Sequence, residues 1–435
     1  MMKSEVKIFD RGNGEIQRVQ VVRFADWAAL DFLQPEAEAD ALDCFWDIYR
    51  KFLVPACPWI FGQMALFRVP KGGEKSLTEV TKELQNGVRL KQGKPMFQNE
   101  KAKALWEQLE AKDCIRVVGG KLPFTKMIPV RDCAGYLSKQ EPGAVLRVNS
   151  SFFIMDPIDC ATMYDQVGTP FGLCVKDGVV LSPPLYQREA LLVYRDGRVE
   201  VDEPDLWTME IEINGNTYAF GDNADLYMRP HWAKTPKSEN SQKIVIVGDR
   251  VVDVKEQGRV AVPASGFVLC PFKACEVKLG DRVCYHGLEE VLFGIQVGNS
   301  VMRDGVKTET FRSRFYNIRR LQRVPYPPSL YPMDFEKGRA ARIVLGADAE
   351  GKPMLLWAEG AGKLNYVPGE DSTGASLSEM AQIAEAVGMV NGVHLDGGGS
   401  AQILLHGERA LHISDRKAED NSDAERMVPL GLIVR

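Results

Sequence analysis

Alternating apolar and polar positions, interrupted by two-residue turns, dominate the chain after about residue 125. The pairs Asp177-Gly178, Asp196-Gly197, Asn214-Gly215 and Asp304-Gly305 each separate two strand-like runs. Asp, Asn and Gly tolerate the positive φ that a two-residue hairpin needs. The pattern therefore predicts a β-rich region with many antiparallel connections.

A different pattern fills much of the first 125 residues. After a predicted hairpin over 6–24, the stretches 35–53, 76–88 and 99–113 have helical character. Ser76 and Glu79 have the spacing of a capping box, in which the two residues satisfy the first free N–H groups of a helix. These stretches predict a helix-rich N-terminal region over residues 1–125, followed by a second domain over 126–435.

The C-terminal part contains a further helix between strands. In the stretch 376–388, apolar residues recur at the 3.6-residue period of a helix with one buried face. Ser376 and Glu379 again have capping-box spacing. Two strand-like runs precede this helix over 341–360, and strands surround it. We therefore predict an α+β fold with a large twisted antiparallel or mixed sheet packed with helices, plus the helix-rich N-terminal region.

Composition excludes several classes of function. The 435 residues are 45% hydrophobic and 26% charged, and the net charge is −5. This balance is typical of a soluble globular protein, and no basic surplus favours nucleic acid or a membrane surface. Cysteines and histidines never cluster at the spacing of metal ligands, so we expect no metal site. The oligomeric state is not predictable from these features.

Two features bear on the cellular compartment. Residues 1–17 contain no apolar segment of the secretory-signal type. The nine cysteines include no C-x-x-C pair, which favours buried thiols in a reducing compartment. We therefore expect a cytoplasmic protein; the alternative is export by a route that the sequence does not reveal.

The segment "HLDGGGSAQILL" (394–405) carries the strongest chemical signal. A strand-like run follows the glycines, which excludes a dinucleotide-binding fingerprint, and the segment lacks both the Lys of a phosphate-binding P-loop and the G-x-S-x-G of a nucleophile elbow. Asp396 and Ser400 flank three residues without side chains, so a ligand can approach the backbone closely and contact its N–H groups. The alternative is a tight turn that Asp396 caps.

Several segments in a shared order resemble the phosphodiester glycosidase family. They are "VLRVNSSFF" (145–153), "GTPFGLCVKDGVVL" (168–181), "LYMRPHWAKTP" (226–236), "VPASGFVL" (262–269), "ARIVLG" (341–346), "SLSEMA" (376–381), "HLDGGGS" (394–400) and "NSDAERMVPLGLIV" (421–434). The resemblance covers roughly residues 126–435. Two positions depart from the family pattern: "NSS" replaces N-G-G at 149–151, and His394 replaces an asparagine.

The resemblance implies hydrolysis of the bond between the anomeric carbon of a sugar and a phosphodiester oxygen, without a cofactor. Such a reaction needs a carboxylate and a cation that holds the phosphate. The substrate would be a small-molecule or glycan phosphodiester. The resemblance assigns catalytic roles to Asp396, Glu379 and Arg342. It assigns substrate and phosphate binding to Asn149, Gly397, Gly398, Gly399, Ser400, Arg426 and His394.

Structural roles remain open for some of these residues. The capping box accounts for Glu379 without catalysis, and Arg426 lies in a charged run that suits an ordinary ion pair. His394 is two residues from Asp396 in a strand, so it shares a face with Asp396 and could also be a packed core residue. Two other functions also remain open: a phosphodiesterase that cuts the P–O bond of a nucleotide-sugar or phosphoglycan, and a non-catalytic glycan-binding module.

Overall fold

A computed structural model describes most of the chain. The described residues are 2–35, 62–70, 73–118, 122–131, 134–155, 159–185, 188–229, 232–237, 241–311, 338–360, 366–417 and 419–435. Apart from Pro35, the helix predicted over 35–53 lies outside these residues.

The architecture of the described residues is predominantly β. They form 28 strands and three α-helices: α1 (Leu77–Gly87), α2 (Glu100–Ala111) and α3 (Leu377–Ala386). The prediction of an α+β fold with a helix-rich N-terminal region is therefore wrong. The predicted helices over 76–88, 99–113 and 376–388 exist, but they are short, and the described residues between α2 and α3 contain β-strands and no α-helix.

The strand bounds follow in chain order. They are β1 (Lys3–Gly12), β2 (Glu15–Arg23), β3 (Leu30–Leu33), β4 (Gly62–Phe67), β5 (Val88–Lys91), β6 (Lys94–Phe97), β7 (Ile115–Val118), β8 (Leu122–Pro129), β9 (Leu146–Asn149), β10 (Cys174–Lys176), β11 (Val179–Ser182), β12 (Ala190–Tyr194), β13 (Val199–Asp202), β14 (Ile211–Ile213), β15 (Asn216–Tyr218), β16 (Ala224–Met228), β17 (Lys243–Val247), β18 (Arg250–Lys255), β19 (Gly266–Pro271), β20 (Val283–Tyr285), β21 (Val291–Gln296), β22 (Ser300–Arg303), β23 (Val306–Lys307), β24 (Arg342–Asp348), β25 (Pro353–Ala358), β26 (Met389–His394), β27 (Ile403–Leu405) and β28 (Gly431–Val434).

The largest sheet joins the two ends of the sequence. Its order is β1-β2-β25-β24-β26-β22-β23, and all of its pairs are antiparallel. The N-terminal hairpin therefore pairs with strands that lie more than 300 residues later. Apolar residues of α3 pack on one face of this sheet with Val344 and Leu356. Ser376 caps α3, and the capping box with Glu379 is formed as predicted.

A second sheet has the order β27-β9-β28-β3. It contains the last strand of the described chain, β28, which pairs with β3 on one side and β9 on the other. Residues 3–33 are thus hydrogen-bonded into sheets of the C-terminal part. The division of the chain into domains at residue 125 stays a prediction.

The described residues form five further sheets. Their orders are β11-β10-β21-β12-β13, β16-β19-β17-β18, β15-β14-β20, β7-β4-β8 and β5-β6. The predicted two-residue turns at Asp177-Gly178, Asn214-Gly215 and Asp304-Gly305 each have positive φ at both residues. Helices α1 and α2 pack with β4 and β7 around Leu84 and Trp106.

One hydrophobic cluster holds the seven-stranded sheet and the four-stranded sheet β27-β9-β28-β3 together. It contains Val393 and Trp357 of the seven-stranded sheet, Val148 and Ile403 of the four-stranded sheet, and Phe293 of β21. All five side chains are fully buried. Because the cluster packs the two sheets against each other, the segment that links β26 to β27 is fixed at both of its ends. Among the described helices, none is both long and apolar enough to span a membrane.

Candidate active site

The glycine turn carries the chain from one sheet to the other. Strand β26 ends at His394, and β27 begins at Ile403. The backbone N–H of Asp396 donates to Ser150 O at 2.8 Å, and the N–H of Gly398 donates to Ala341 O at 2.8 Å. The turn is therefore bonded to the end of β9 on one side and to the start of β24 on the other.

Asn149 connects the two ends of this turn. Its side-chain nitrogen donates to Asp396 O at 2.8 Å, and its side-chain oxygen accepts from the backbone N–H of Gln402 at 2.9 Å. The residue is 1% exposed. Because both polar atoms of the carboxamide are engaged by the turn, Asn149 sets the position of Asp396.

Arg342 lies across from Asp396 because of strand register. His394 of β26 pairs with Val344 of β24. Just past the end of β26, the Leu395 N–H donates to Ile343 O at 2.9 Å. The next residue, Asp396, is therefore close to Arg342, which acts to lower its pKa. The Arg342 guanidinium is held in place by hydrogen bonds to Ala375 O at 3.1 Å and Gly338 O at 2.9 Å.

The carboxyl group of Asp396 has an unusual proton affinity. The residue as a whole is partly exposed, but its carboxyl group is enclosed by protein atoms. This burial raises the pKa of Asp396 to about 7, against the lowering effects of the Ser400 hydroxyl, Arg426, the Gly397 N–H and Arg342. A carboxyl group with a pKa near 7 can both hold and release a proton at neutral pH.

Arg426 reaches the turn from the C-terminal segment. Its Nε and Nη2 atoms donate to Asp415 Oδ2 at 3.0 and 2.8 Å. A Cβ atom added at Gly399 would lie 2.2 Å from Arg426 Nη2 and 2.4 Å from Asp415 Oδ2. The guanidinium thus packs directly on the glycine backbone, where it can act on Asp396 and on any anion bound at the turn.

Glycine is required at the three positions of the turn for different physical reasons. Gly398 has φ +60°, which favours glycine. Gly399 makes room for Arg426, as described. A Cβ at Gly397 would lie 2.8 Å from Ala341 O and 3.4 Å from His394 Nε2. Backbone conformation therefore explains one glycine, and close approach explains the other two.

His394 is buried beside Asp396. It is 0% exposed, and neither ring nitrogen has a hydrogen-bond partner in the described protein. Burial, Arg342 and Arg188 together lower its pKa well below the usual value. The imidazole is therefore neutral at physiological pH.

Hydroxyl groups near the turn are also buried and unsatisfied. The Oγ atoms of Ser150, Ser151 and Ser400 have no partner that meets hydrogen-bond geometry in the described protein, although Ser400 is close enough to lower the pKa of Asp396. All three residues are at most 3% exposed. Each unsatisfied buried polar atom reduces the free energy of unfolding by about 1–3 kcal/mol. Several such atoms close together indicate a site where a ligand or water forms the missing hydrogen bonds.

Glu379 makes its contacts elsewhere. Its carboxylate accepts from the Ser376 N–H at 2.9 Å and from Arg339 Nη2 at 2.7 Å. Burial would raise its pKa, but the Arg339 hydrogen bonds and the helix cap outweigh burial and lower it. The contacts that the structure shows for this carboxylate therefore fit a capped and ion-paired glutamate at the start of α3.

Two residues near the turn were not identified from the sequence. Asp415 pairs with Arg426, and Arg188 is 2% exposed and close enough to lower the pKa of His394. Neither lies in a recognisable motif, so only their position in the fold reveals them. In the described part of the chain, no three His, Cys, Asp or Glu side chains come together as a metal site.

The arrangement is suited to an anion. Two buried arginines, Arg342 and Arg426, act on the Asp396 carboxyl, and a third, Arg188, acts on the neighbouring His394. Asp415 offsets the charge of Arg426. At neutral pH the Asp396 carboxyl is only partly ionised, because its pKa is about 7. The net charge of these side chains is therefore positive. Asp396, Gly397 and Gly398 are the residues of the turn that are partly exposed.

Comparison with known proteins identifies the family. The sequence profile of a family described as phosphodiester glycosidase matches residues 208–435, more than half of the chain. The chain belongs to the phosphodiester glycosidase family. The matched residues include α3, the glycine turn, Arg342 and Arg426, so the family resemblance predicted from the sequence is confirmed over residues 208–435.

Individual relatives are more distant. N-acetylglucosamine-1-phosphodiester alpha-N-acetylglucosaminidase of Mus musculus is 37% identical over 82 residues, which cover 19% of this chain and 14% of the mouse protein. Among solved structures, a hypothetical protein from Synechocystis has a TM-score of 0.43 at 15% identity, with 100% of this chain and 62% of that chain covered. The zebrafish N-acetylglucosamine-1-phosphodiester alpha-N-acetylglucosaminidase catalytic domain, auto-inhibited by its pro-peptide, has a TM-score of 0.40 at 12% identity, with 100% and 83% covered.

Proposed function

We propose that this protein hydrolyses a sugar-1-phosphodiester at the anomeric C–O bond. The observation that carries the proposal is the Asp396 carboxyl, which has a pKa of about 7 and lies among buried arginines at an open glycine turn. Family membership supports the reaction class, and the net positive charge of the site supports an anionic substrate.

Asp396 acts in its ionised form. It removes a proton from a water molecule as the water oxygen forms a bond to the anomeric carbon. The C–O bond to the phosphodiester oxygen breaks, its electron pair leaves with the phosphate, and the products are a free sugar and a phosphate monoester. A base with a pKa near the working pH is suited to this proton transfer.

Arg342 and Arg426 act on the leaving group. Both guanidiniums are fixed by protein contacts before a ligand arrives, with Arg342 bonded to Gly338 O at 2.9 Å and Arg426 to Asp415 at 2.8 Å. Charge develops on the phosphate as the C–O bond breaks, and prearranged cations stabilise that charge without further reorganisation. Asn149 positions Asp396 through its main-chain oxygen, and Glu379 has no chemical role.

The test compares the wild type with Asp396→Asn and Arg342→Ala on N-acetylglucosamine 1-(methyl phosphate) and on nucleotide-sugars. We expect free sugar from the wild type and a loss of about 10³-fold or more in kcat for Asp396→Asn. Circular dichroism and thermal unfolding control for folding of each variant. Equal turnover by wild type and Asp396→Asn, or binding without turnover by wild type, would contradict the proposal.

A further inference from the structure

His394 is enclosed by two glycines that leave space for its ring. A Cβ added at Gly298 would lie 2.7 Å from His394 Nδ1, and one added at Gly397 would lie 3.4 Å from Nε2. Neither glycine has a positive φ. Their identity therefore follows from space, because a larger residue at either position would collide with the imidazole or with the neighbouring backbone.

The His394 imidazole adds a hydrogen-bond acceptor beside two guanidinium groups. Arginine side chains donate hydrogen bonds but accept none. A neutral imidazole carries one N–H donor and one acceptor nitrogen, and burial together with Arg342 and Arg188 keeps His394 neutral. Besides the Asp396 carboxyl, His394 is therefore a buried acceptor close to the guanidiniums of Arg342 and Arg188.

Protein contacts do not explain this side chain. Both ring nitrogens are without hydrogen-bond partners in the described protein, and the residue is 0% exposed. Phe152 is its aromatic neighbour, with ring centroids 6.4 Å apart. An apolar residue would fill the same space without leaving polar atoms unsatisfied. The two ring nitrogens therefore indicate a hydrogen-bond partner on a bound ligand.

We propose that His394 is a specificity-determining residue that accepts a hydrogen bond from a hydroxyl group of the bound sugar. A hydroxyl both donates and accepts, so the same group can receive a hydrogen bond from a guanidinium and give one to the imidazole. The proposal deepens the proposed function, on which it rests, by requiring a substrate with a free hydroxyl at this point of the ring.

Deoxy analogues measure the contact directly. N-acetylglucosamine 1-(methyl phosphate) and its 3-, 4- and 6-deoxy analogues are compared on wild type, His394→Phe and His394→Asn. For wild type, we expect one analogue to show kcat/KM about 10- to 100-fold below the parent, because its missing hydroxyl leaves the buried acceptor unpaired. For His394→Phe, the same analogue should be within about threefold of the parent, since no acceptor remains. His286→Phe, in which the replaced ring contacts Glu212 and Glu289 on the surface, is the matched control and should retain the wild-type penalty.

A second measurement does not depend on the variants folding. The imidazole nitrogens of wild type are followed by nitrogen-15 NMR during titration with the non-hydrolysable C-phosphonate of N-acetylglucosamine. A shift of a His394 nitrogen toward the hydrogen-bonded range supports the proposal. An unshifted imidazole with the phosphonate bound, or identical deoxy penalties in wild type and His394→Phe, overturns it. Turnover without this coupling refutes the role of His394 alone, whereas the absence of both turnover and binding refutes the proposed function as well.

Discussion

The side-chain amide of Asn149 donates to the main-chain oxygen of Asp396 at 2.8 Å. The same carboxamide accepts from the N–H of Gln402 at 2.9 Å, so one buried side chain holds both ends of the glycine turn. The turn joins two sheets that one hydrophobic cluster packs together. The position of the proposed catalytic carboxylate thus depends on a strand of the other sheet, β9.

Replacement of Asn149 by Asp tests this dependence. The side chain keeps its shape, but an oxygen then faces the main-chain oxygen of Asp396. We expect a loss of about 2–3 kcal/mol in the free energy of unfolding and a fall in kcat of about tenfold or more. Asn391→Asp is the matched control, because Asn391 is also buried and bridges two backbone groups, Asp304 N–H and Val199 O. Urea unfolding and steady-state kinetics should show a similar stability loss with unchanged kcat for that variant; equal kcat losses in both would contradict the positioning role.

Two alanine substitutions separate the reasons for the glycines. Gly398→Ala has open space for its methyl group and carries only the strain of φ +60°, about 1–2 kcal/mol. Gly399→Ala must displace Arg426 or Asp415. We expect kcat/KM to fall by about 100-fold or more for Gly399→Ala and by less than about tenfold for Gly398→Ala, in kinetics at a fixed pH. The reverse order would show that Arg426 is not needed at the turn.

The Asp396 carboxyl should make stability depend on pH. Its pKa rises from 3.8 in the unfolded chain to about 7 in the fold. Between these values the folded state holds a proton that the unfolded state has released, so this group lowers stability as pH rises from about 4 to 7, and the loss persists above 7. We expect Asp396→Asn to be more stable than wild type by on the order of 2 kcal/mol at pH 8 and nearly equal to it at pH 4. Urea unfolding at both pH values checks this, and an equal difference at both would show that the pKa is not raised.

The same ionisation should govern the reaction. Because Asp396 acts as a base, kcat/KM should rise with pH and level off above an apparent pKa near 7. Burial, Arg342 and Arg188 lower the pKa of His394 well below its usual value, so its ionisation lies on the acidic side of the Asp396 transition. Initial rates between pH 5 and 9 measure the profile. A rate that falls as pH rises through 7 would make Asp396 an acid instead.

Glu379, assigned to catalysis by the family resemblance, should act only on stability. Glu379→Ala removes a helix cap and the Arg339 ion pair, for which we expect a loss of about 1–2 kcal/mol in the free energy of unfolding and kcat within about threefold of wild type. Glu79→Ala is the matched control, since α1 has the same capping box with Ser76. Steady-state kinetics and urea unfolding of both variants test this prediction. A large loss of kcat in Glu379→Ala but not in Glu79→Ala would show that Glu379 takes part in catalysis.

Local patterns in the sequence predicted local structure well. The capping boxes at Ser76 and Ser376 and the Asn214-Gly215 turn form as expected, because caps and tight turns depend on a few neighbouring residues. The prediction of the fold class was wrong, because strands pair with partners that are distant in the sequence. No nearby residue indicates that β2 pairs with β25 or that β3 pairs with β28.

The candidate site shows the same division. The glycine motif located Asp396, and the family pattern added Arg342 and Arg426, which the fold places at the turn. Arg188 and Asp415 carry no motif and were missed. For Asn149 the residue was found, but its contacts with the turn backbone could be known only from the arrangement of two sheets.

The most direct test is hydrolysis of N-acetylglucosamine 1-(methyl phosphate) in oxygen-18 water by wild type and Asp396→Asn. Mass spectrometry of the products locates the label. We predict label in the free sugar and none in methyl phosphate, with turnover lost in Asp396→Asn. Label in a phosphate product would mean that the P–O bond is cut and would contradict the proposed reaction. Sugar release that Asp396→Asn retains would contradict the role of the glycine turn.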